Sequence, residues 1–166
     1  MGKFDLTEKL KEELMKRNLW EQEDDQEDDQ EDDQEDDQEN ESSNHNEDFC
    51  EMVCQLLHSQ TQVHIFHLGT KSYSEHKALQ GYYEGIDALT DGLVESYQGK
   101  YGLLNNYKSY KTQSYKNKNQ VLKYFTGLLK TIDEKRDCCE DTYIQNQIDT
   151  VQELMYSTMY KLKFLD

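Results

Sequence analysis

HIFHLGTKSYSEHKALQGYYEGIDALTDGLVE, residues 64–95 of a 166-residue chain, sets imidazoles and carboxylates at helix-compatible intervals on either side of one short break. His64 precedes the break at Gly69 and Thr70, His76 follows it, and Gln80, Glu84, Asp87, Asp91 and Glu95 then recur every three or four residues. On a wheel of about 100° per residue with His76 at zero, those five side chains fall between roughly 20° and 100°. The apolar arc of Leu79, Tyr83, Ile86, Leu93, Val94 and Tyr97 lies on the other side of His76, and the only base on this helix is Lys77. A solvated face accounts cheaply for an acidic stripe. Surface stripes usually interleave lysine or arginine, however, and imidazole mixed with carboxylate at one-turn intervals is how helices supply ligands to iron(II) while leaving positions open for an oxidant.

Working outward, Phe49, Met52, Val53, Leu56, Leu57, Val63, His67 and Leu68 predict a first helix from about Asp48 to Gly69, since apolar residues three and four apart share one face. His67 falls in the middle of that face and reads as a hydrogen-bonded core histidine. The second helix is expected from Ser74 to Tyr97, broken by Gln98, Gly99 and Gly102. Residues 100–118 are polar, tyrosine-rich and weakly periodic. A third helix from Asn117 to Glu134 carries Val121, Leu122, Phe125, Leu128, Leu129 and Ile132. After a turn at residues 137–140, a fourth carries Ile144, Ile148, Val151, Leu154, Met155, Met159, Leu162 and Leu165. Short first and third turns with a long middle connection predict an all-α, ferritin-like four-helix bundle over residues 48–166, with the long link crossing from the second helix to the third. This topology starts the first and fourth helices at one end, which would bring Cys50 and Cys54 near Cys138 and Cys139. Such a cluster reads as semi-buried structural residues or as a soft-metal or redox site.

The formal charge of −17 is local in origin. Residues 21–48 hold 17 of the 35 acidic residues and no lysine or arginine, leaving 18 acids against 18 bases elsewhere. Four perfect QEDD units begin at Gln22, and like charges one turn apart with nothing apolar to offset ordering entropy predict a disordered polyacidic linker over 21–47. Ahead of it, Phe4, Leu6, Leu10, Leu14 and Leu19 make residues 1–20 an amphipathic peptide, read either as packing on its own domain or as docking another protein. No run is apolar enough to cross a bilayer and no signal-peptide core is present, so the expectation is a soluble, cytoplasmic protein with reduced thiols.

A di-iron site inside one bundle draws carboxylates from all four helices and histidines from two. Here the third helix has no acid before Asp133 and the fourth has no histidine, which points to a site at the bundle edge completed by a second subunit. The spacing of His64, Gly69, His76 and Gln80, followed by Asp91 and Glu95, resembles the ferroxidase signature of the Dps family of mini-ferritins. The motif covers about 32 residues and the helix plan extends the resemblance to about 120. The resemblance implies a hollow dodecamer in which His64 and His76 from one subunit and Asp91 and Glu95 from its neighbour bind non-haem iron as a di-iron centre. That centre would oxidise iron(II) with peroxide and store the product. The chain departs from the family at two places: Gln80 stands where the pattern has an aspartate, and Ile65 where a tryptophan is common. With Gln80 a neutral and weaker ligand, the site is expected to hold fewer ions, to use Asp87 or Glu84 instead, or to be a relic.

The alternative is a ferritin-like bundle without catalysis, acting in structure or interaction. Residues 100–136 hold nine lysines or arginines against Asp133 and Glu134, interleaved with Tyr101, Tyr107, Tyr110, Tyr115 and Tyr124. That composition suits salt-dependent contact with nucleic acid, or an ordinary solvated face.

Overall fold

Apolar side chains spaced at one helical turn, with proline absent throughout, produce four α-helices among the described residues: α1 (Asp32–Gly69), α2 (Tyr73–Tyr101), α3 (Lys118–Lys135) and α4 (Thr142–Phe164). A single 3₁₀ turn, Arg136–Cys138, joins α3 to α4. This computed structural model describes the backbone of residues 32–165 and the side chains of residues 45–165. The amphipathic peptide expected at 1–20 and the linker's first units lie outside the described residues. Residues Glu41–Asp166 form one compact unit by themselves.

The caps follow from the sequence. Ser72 and Asn117, both in extended backbone, accept the N–H groups of Glu75 and Gln120 and so open α2 and α3. α2 runs through Gly99, where the sequence predicts a break, and stops at Gly102. There φ is 89°, a conformation that favours glycine, and the Gly102 N–H closes on the Gln98 carbonyl. α1 starts at Asp32 rather than near Asp48, so residues 32–47, expected to be disordered, are helical. Propagating a helix costs far less than nucleating one, and glutamine and glutamate are good helix formers.

Side-chain contacts fix the directions. α1 and α2 are antiparallel: the Tyr97 hydroxyl donates to Asn46, Ser59 bonds the Tyr82 hydroxyl, and His67 meets His76. α2 and α4 are antiparallel, with Leu154 against Gly85, Gln147 bonded to Ser96, and Lys100 and Tyr101 both on Asp141. α1 and α3 are antiparallel as well. The Lys135 ammonium lies 2.5 Å from Asp48 and 3.0 Å from Glu51 at one end, and Phe66 packs edge-on to Tyr124 at the other. α2 and α3 therefore run in the same direction, and the chain between them must travel back along the bundle.

Residues 102–117 make that journey without secondary structure, along α1. The Lys108 N–H rests on the Cys54 sulfur at 3.1 Å. Gln62, 1% exposed, accepts the Gln113 N–H at 2.7 Å and donates to the Gln113 carbonyl at 2.8 Å. One buried amide thus satisfies both backbone groups of a residue that has no helix or sheet to bond in. Tyr115 then seats over Gly69, where any Cβ would overlap its own Cβ.

The core comprises Phe49, Met52, Val53, Leu56, Val63 and Phe66 of α1, with Leu79, Ile86, Phe125, Ile132, Ile148 and Met155 among those from the other helices. Phe49 stacks on Tyr97 with centroids 3.6 Å apart. Four expectations change. Leu57, Leu68 and Leu165 are exposed, and Tyr82 rather than Tyr83 is fully buried, because Ser59 satisfies its hydroxyl at 2.8 Å. Burial holds that phenol neutral by pushing its pKa well up. Among the described residues no helix is long and apolar enough to cross a membrane.

Gln62→Leu leaves the Gln113 N–H and carbonyl without partners, and Gly69→Ala displaces Tyr115. Each is expected to lower stability by about 1–3 kcal/mol in urea unfolding. A neutral result for both would remove the connection from the set of stabilising elements.

Candidate functional site

The break between α1 and α2 is built by a relay of short polar side chains. The Thr70 hydroxyl accepts the Ser72 N–H at 3.2 Å and donates to Glu75 at 2.8 Å, and the Tyr115 hydroxyl donates to the same carboxylate oxygen, also at 2.8 Å. Glu75 is 7% exposed, so these hydroxyls replace the water it gives up. The result fixes where α2 begins, and with it the position of His76 one residue on.

Three histidines and a tyrosine gather at this end. His67 and His76 stack with centroids 3.6 Å apart and planes 27° from parallel. The Nδ1 of His67 lies 2.9 Å from the His76 carbonyl, and the Nδ1 of His76 lies 3.3 Å from the His67 carbonyl. A carbonyl only accepts, so each Nδ1 is the donor, and in a neutral ring of this tautomer Nε2 is the nitrogen with the lone pair. His64, one turn before His67, is exposed and stacks on Tyr83 at 4.2 Å, with its centroid 5.7 Å from that of His67. His67 is 6% exposed and bonded, the core histidine its place in the sequence predicts.

The rest of the predicted site lies along α2. Gln80 is engaged at both ends, its Oε1 accepting from Lys77 at 2.6 Å and its Nε2 donating to Glu84 at 2.7 Å. Glu84, Asp87, Asp91 and Glu95 are exposed, and no ion pair among the described residues uses them. At 1.5 Å per residue, Asp91 stands about 22 Å from His76 and Glu95 about 28 Å. One chain therefore brings His76 to His67 and leaves Asp91 and Glu95 far down the same helix. Among the described residues no three His, Cys, Asp or Glu side chains form a group that could hold a metal ion.

Sequence reasoning missed the Glu75 relay and the His67–His76 stack. Ser72-x-x-Glu75 is a capping-box pattern, which was the available signal for the first. The second needed the turn length, since only a three-residue turn puts residues nine apart on facing helices.

A second polar surface lies between α1, the connection and α3. It is a groove of about 690 Å³ lined by Gln55, Gln113, Lys116, Gln120, Lys123 and Tyr124, among others, with no carboxylate in its wall. Of the nine bases in residues 100–136, Lys100, Lys130, Lys135 and Arg136 are paired to Asp141, Glu134, Asp48 with Glu51, and Asp149. Lys108, Lys111, Lys116, Lys118 and Lys123 have no carboxylate partner among the described residues.

These features define an all-α chain whose polar surfaces are a histidine cluster, an acidic helix face and a lysine-bearing connection. It belongs to a family of unknown function, DUF5856, whose profile matches residues 67–162. The match takes in His67, His76, Asp91 and Glu95 and leaves His64 outside. No curated protein and no solved structure matches the chain.

His67→Ala removes a buried ring and a bond between helices, with an expected loss of about 2–4 kcal/mol. His64→Ala, on an exposed ring, should cost under about 1 kcal/mol. His58 supplies a pH test, since burial pushes its pKa below the ordinary 6.5. The unfolded chain then binds the extra proton first, so stability is full above about pH 6.5 and falls as pH drops through the lowered value. The difference between wild type and His58→Gln in melting temperature should accordingly shrink between pH 7.5 and 5.5.

Proposed function

We propose that this chain is a ferritin-like four-helix bundle that binds and oxidises iron(II) at a site shared between two copies, in the manner of a Dps-like mini-ferritin. The observation that carries the reading is the separation along α2. His76 stands at one end of α2, Asp87 at its middle and Asp91 and Glu95 towards the other end, none of these carboxylates in an ion pair among the described residues, so a second copy running antiparallel would bring carboxylates to imidazole. The up, down, long crossing, down, up order of the helices supports the same reading. His76 fits an iron ligand as it stands. His64 presents an exposed ring, and Gln80 is occupied within its own chain, so the acidic side of the site falls to Asp91 and Glu95 of the second copy, with Asp87 as a further donor. Iron(II) is the substrate: two ions each give one electron to peroxide, which takes up two protons from solvent and leaves as two waters, and the ferric product is stored in an oligomer, a dodecamer if the assembly follows Dps.

Iron(II) added anaerobically, followed by peroxide, should give ferric absorbance in wild type at a rate at least tenfold above that of a His76→Ala, Glu95→Ala variant. Native mass measurement should show an oligomer. Equal rates in the two proteins, or a monomer, would end the ferroxidase reading.

The second reading is a non-catalytic interaction protein that contacts nucleic acid. Lys108, Lys111, Lys116, Lys118 and Lys123, with no carboxylate beside them, favour it. A gel shift of duplex DNA that weakens steeply between 50 and 200 mM salt, as about five phosphate contacts require, and that disappears in Lys116→Ala, Lys123→Ala, supports this reading. No shift at low salt removes it.

A further inference from the structure

Cys138 and Cys139 lie at the α3–α4 turn, their sulfurs 3.7 Å apart. Cys138 closes the 3₁₀ turn and is partly exposed, while Cys139 follows in extended backbone and is buried. Neither residue sits in an α-helix, so the two side chains can approach without breaking a helical ladder. The Cys139 carbonyl is held by Gln145 at 2.8 Å. The setting of Cys138 favours a thiolate: the hydrogen bond with the neighbouring thiol holds its pKa below the usual thiol value against burial and the Asp48 carboxylate, with a smaller pull from the Lys135 ammonium. The same bond and burial push Cys139 up, so it serves as the proton-bearing partner.

The other two cysteines differ in each respect. Cys50 and Cys54 are 3% and 2% exposed, the Cys54 sulfur is occupied by the Lys108 N–H, and burial pushes Cys50 up. Tyr97, stacked on Phe49, lies within the electrostatic reach of Cys139, Cys138 and Cys50, so all three gather at this end of the unit.

We infer that Cys138 and Cys139 form a peroxide-oxidisable dithiol, with Cys138 the attacking sulfur and Cys139 the resolving one. The Cys138 thiolate attacks one peroxide oxygen, the O–O bond breaks, and hydroxide leaves and takes a proton from solvent. This oxidises the sulfur to a sulfenic acid and reduces the peroxide. The Cys139 sulfur then attacks Cys138, the S–O bond breaks, and a second water carries off the Cys139 proton as the S–S bond forms. Two thiols and one peroxide become one disulfide and two waters. The sulfurs close from 3.7 Å to about 2.05 Å.

Cleavage after Arg136 and Lys161 gives a peptide, residues 137–161, that contains both of these cysteines and neither of the others. After one equivalent of hydrogen peroxide, the full-length protein should yield this peptide with two hydrogens lost and closed to alkylation, while Cys50 and Cys54 remain alkylatable. Cys139→Ser should stop at a Cys138 sulfenic acid trapped by dimedone. Cys138→Ser should slow oxidation of the peptide at least tenfold. Earlier oxidation of Cys50 or Cys54, a disulfide joining two chains, or equal oxidation of Cys139 in Cys138→Ser overturns the inference. The wild-type mapping stands even if a variant fails to fold.

Discussion

The amide of Gln62 is the interaction on which the arrangement of helices depends. Because α2 and α3 run the same way, the chain must return along the bundle through residues that make no regular backbone bonds. Every N–H and carbonyl buried on that path needs a partner brought by side chains. Gln62 supplies two to Gln113 from inside the core, Cys54 takes the Lys108 N–H, and Tyr115 anchors the far end on Glu75 and Gly69. Without such partners the connection would lift into water, and α3 would lose the constraint that holds its first turn beside the end of α1.

The same anchor ties the fold to the histidine cluster. Glu75 receives the hydroxyls of Thr70 and Tyr115 and lies in the first turn of α2 just before His76. The His76 ring is thus positioned with the help of Tyr115, forty positions after Glu75 in the chain. Its stacking partner His67 belongs to the core of α1. Site geometry and core packing are set by one group of contacts, so changes in the connection should be felt at the imidazoles.

Much of the fold was legible because it rests on periodicity. The apolar spacing gave four helices, and Asn117 marks the start of one, whereas the cap at Ser72 goes unread and the second helix is expected from Ser74. Boundaries failed where one residue type carries two meanings: Gly99 reads as a stop yet is tolerated mid-helix, whereas Gly102 takes the positive φ. Repulsion in the acidic segment argued for disorder, and helix propagation from a folded end outweighed it over residues 32–47. The site was legible as a list of residues and not as an arrangement. His64 and His76 are twelve apart and read as a pair, but the three-residue turn delivers His67 to His76. Gln80 reads as a weakened ligand, and its place in the middle of a chain from Lys77 to Glu84 was not legible in the spacing.

The exposed carboxylates of α2 and the unpaired lysines of the connection and α3 sit on different elements of a unit whose charges nearly balance once residues 21–48 are set aside. Such segregation gives a near-neutral body a permanent dipole moment. A partner with its own charged patches, approaching at low ionic strength, would be turned before contact, its cations toward the acidic helix and its anions toward the lysine-rich connection. Within about 8 Å at physiological salt that torque is still felt, and beyond it the ions of the solution erase it.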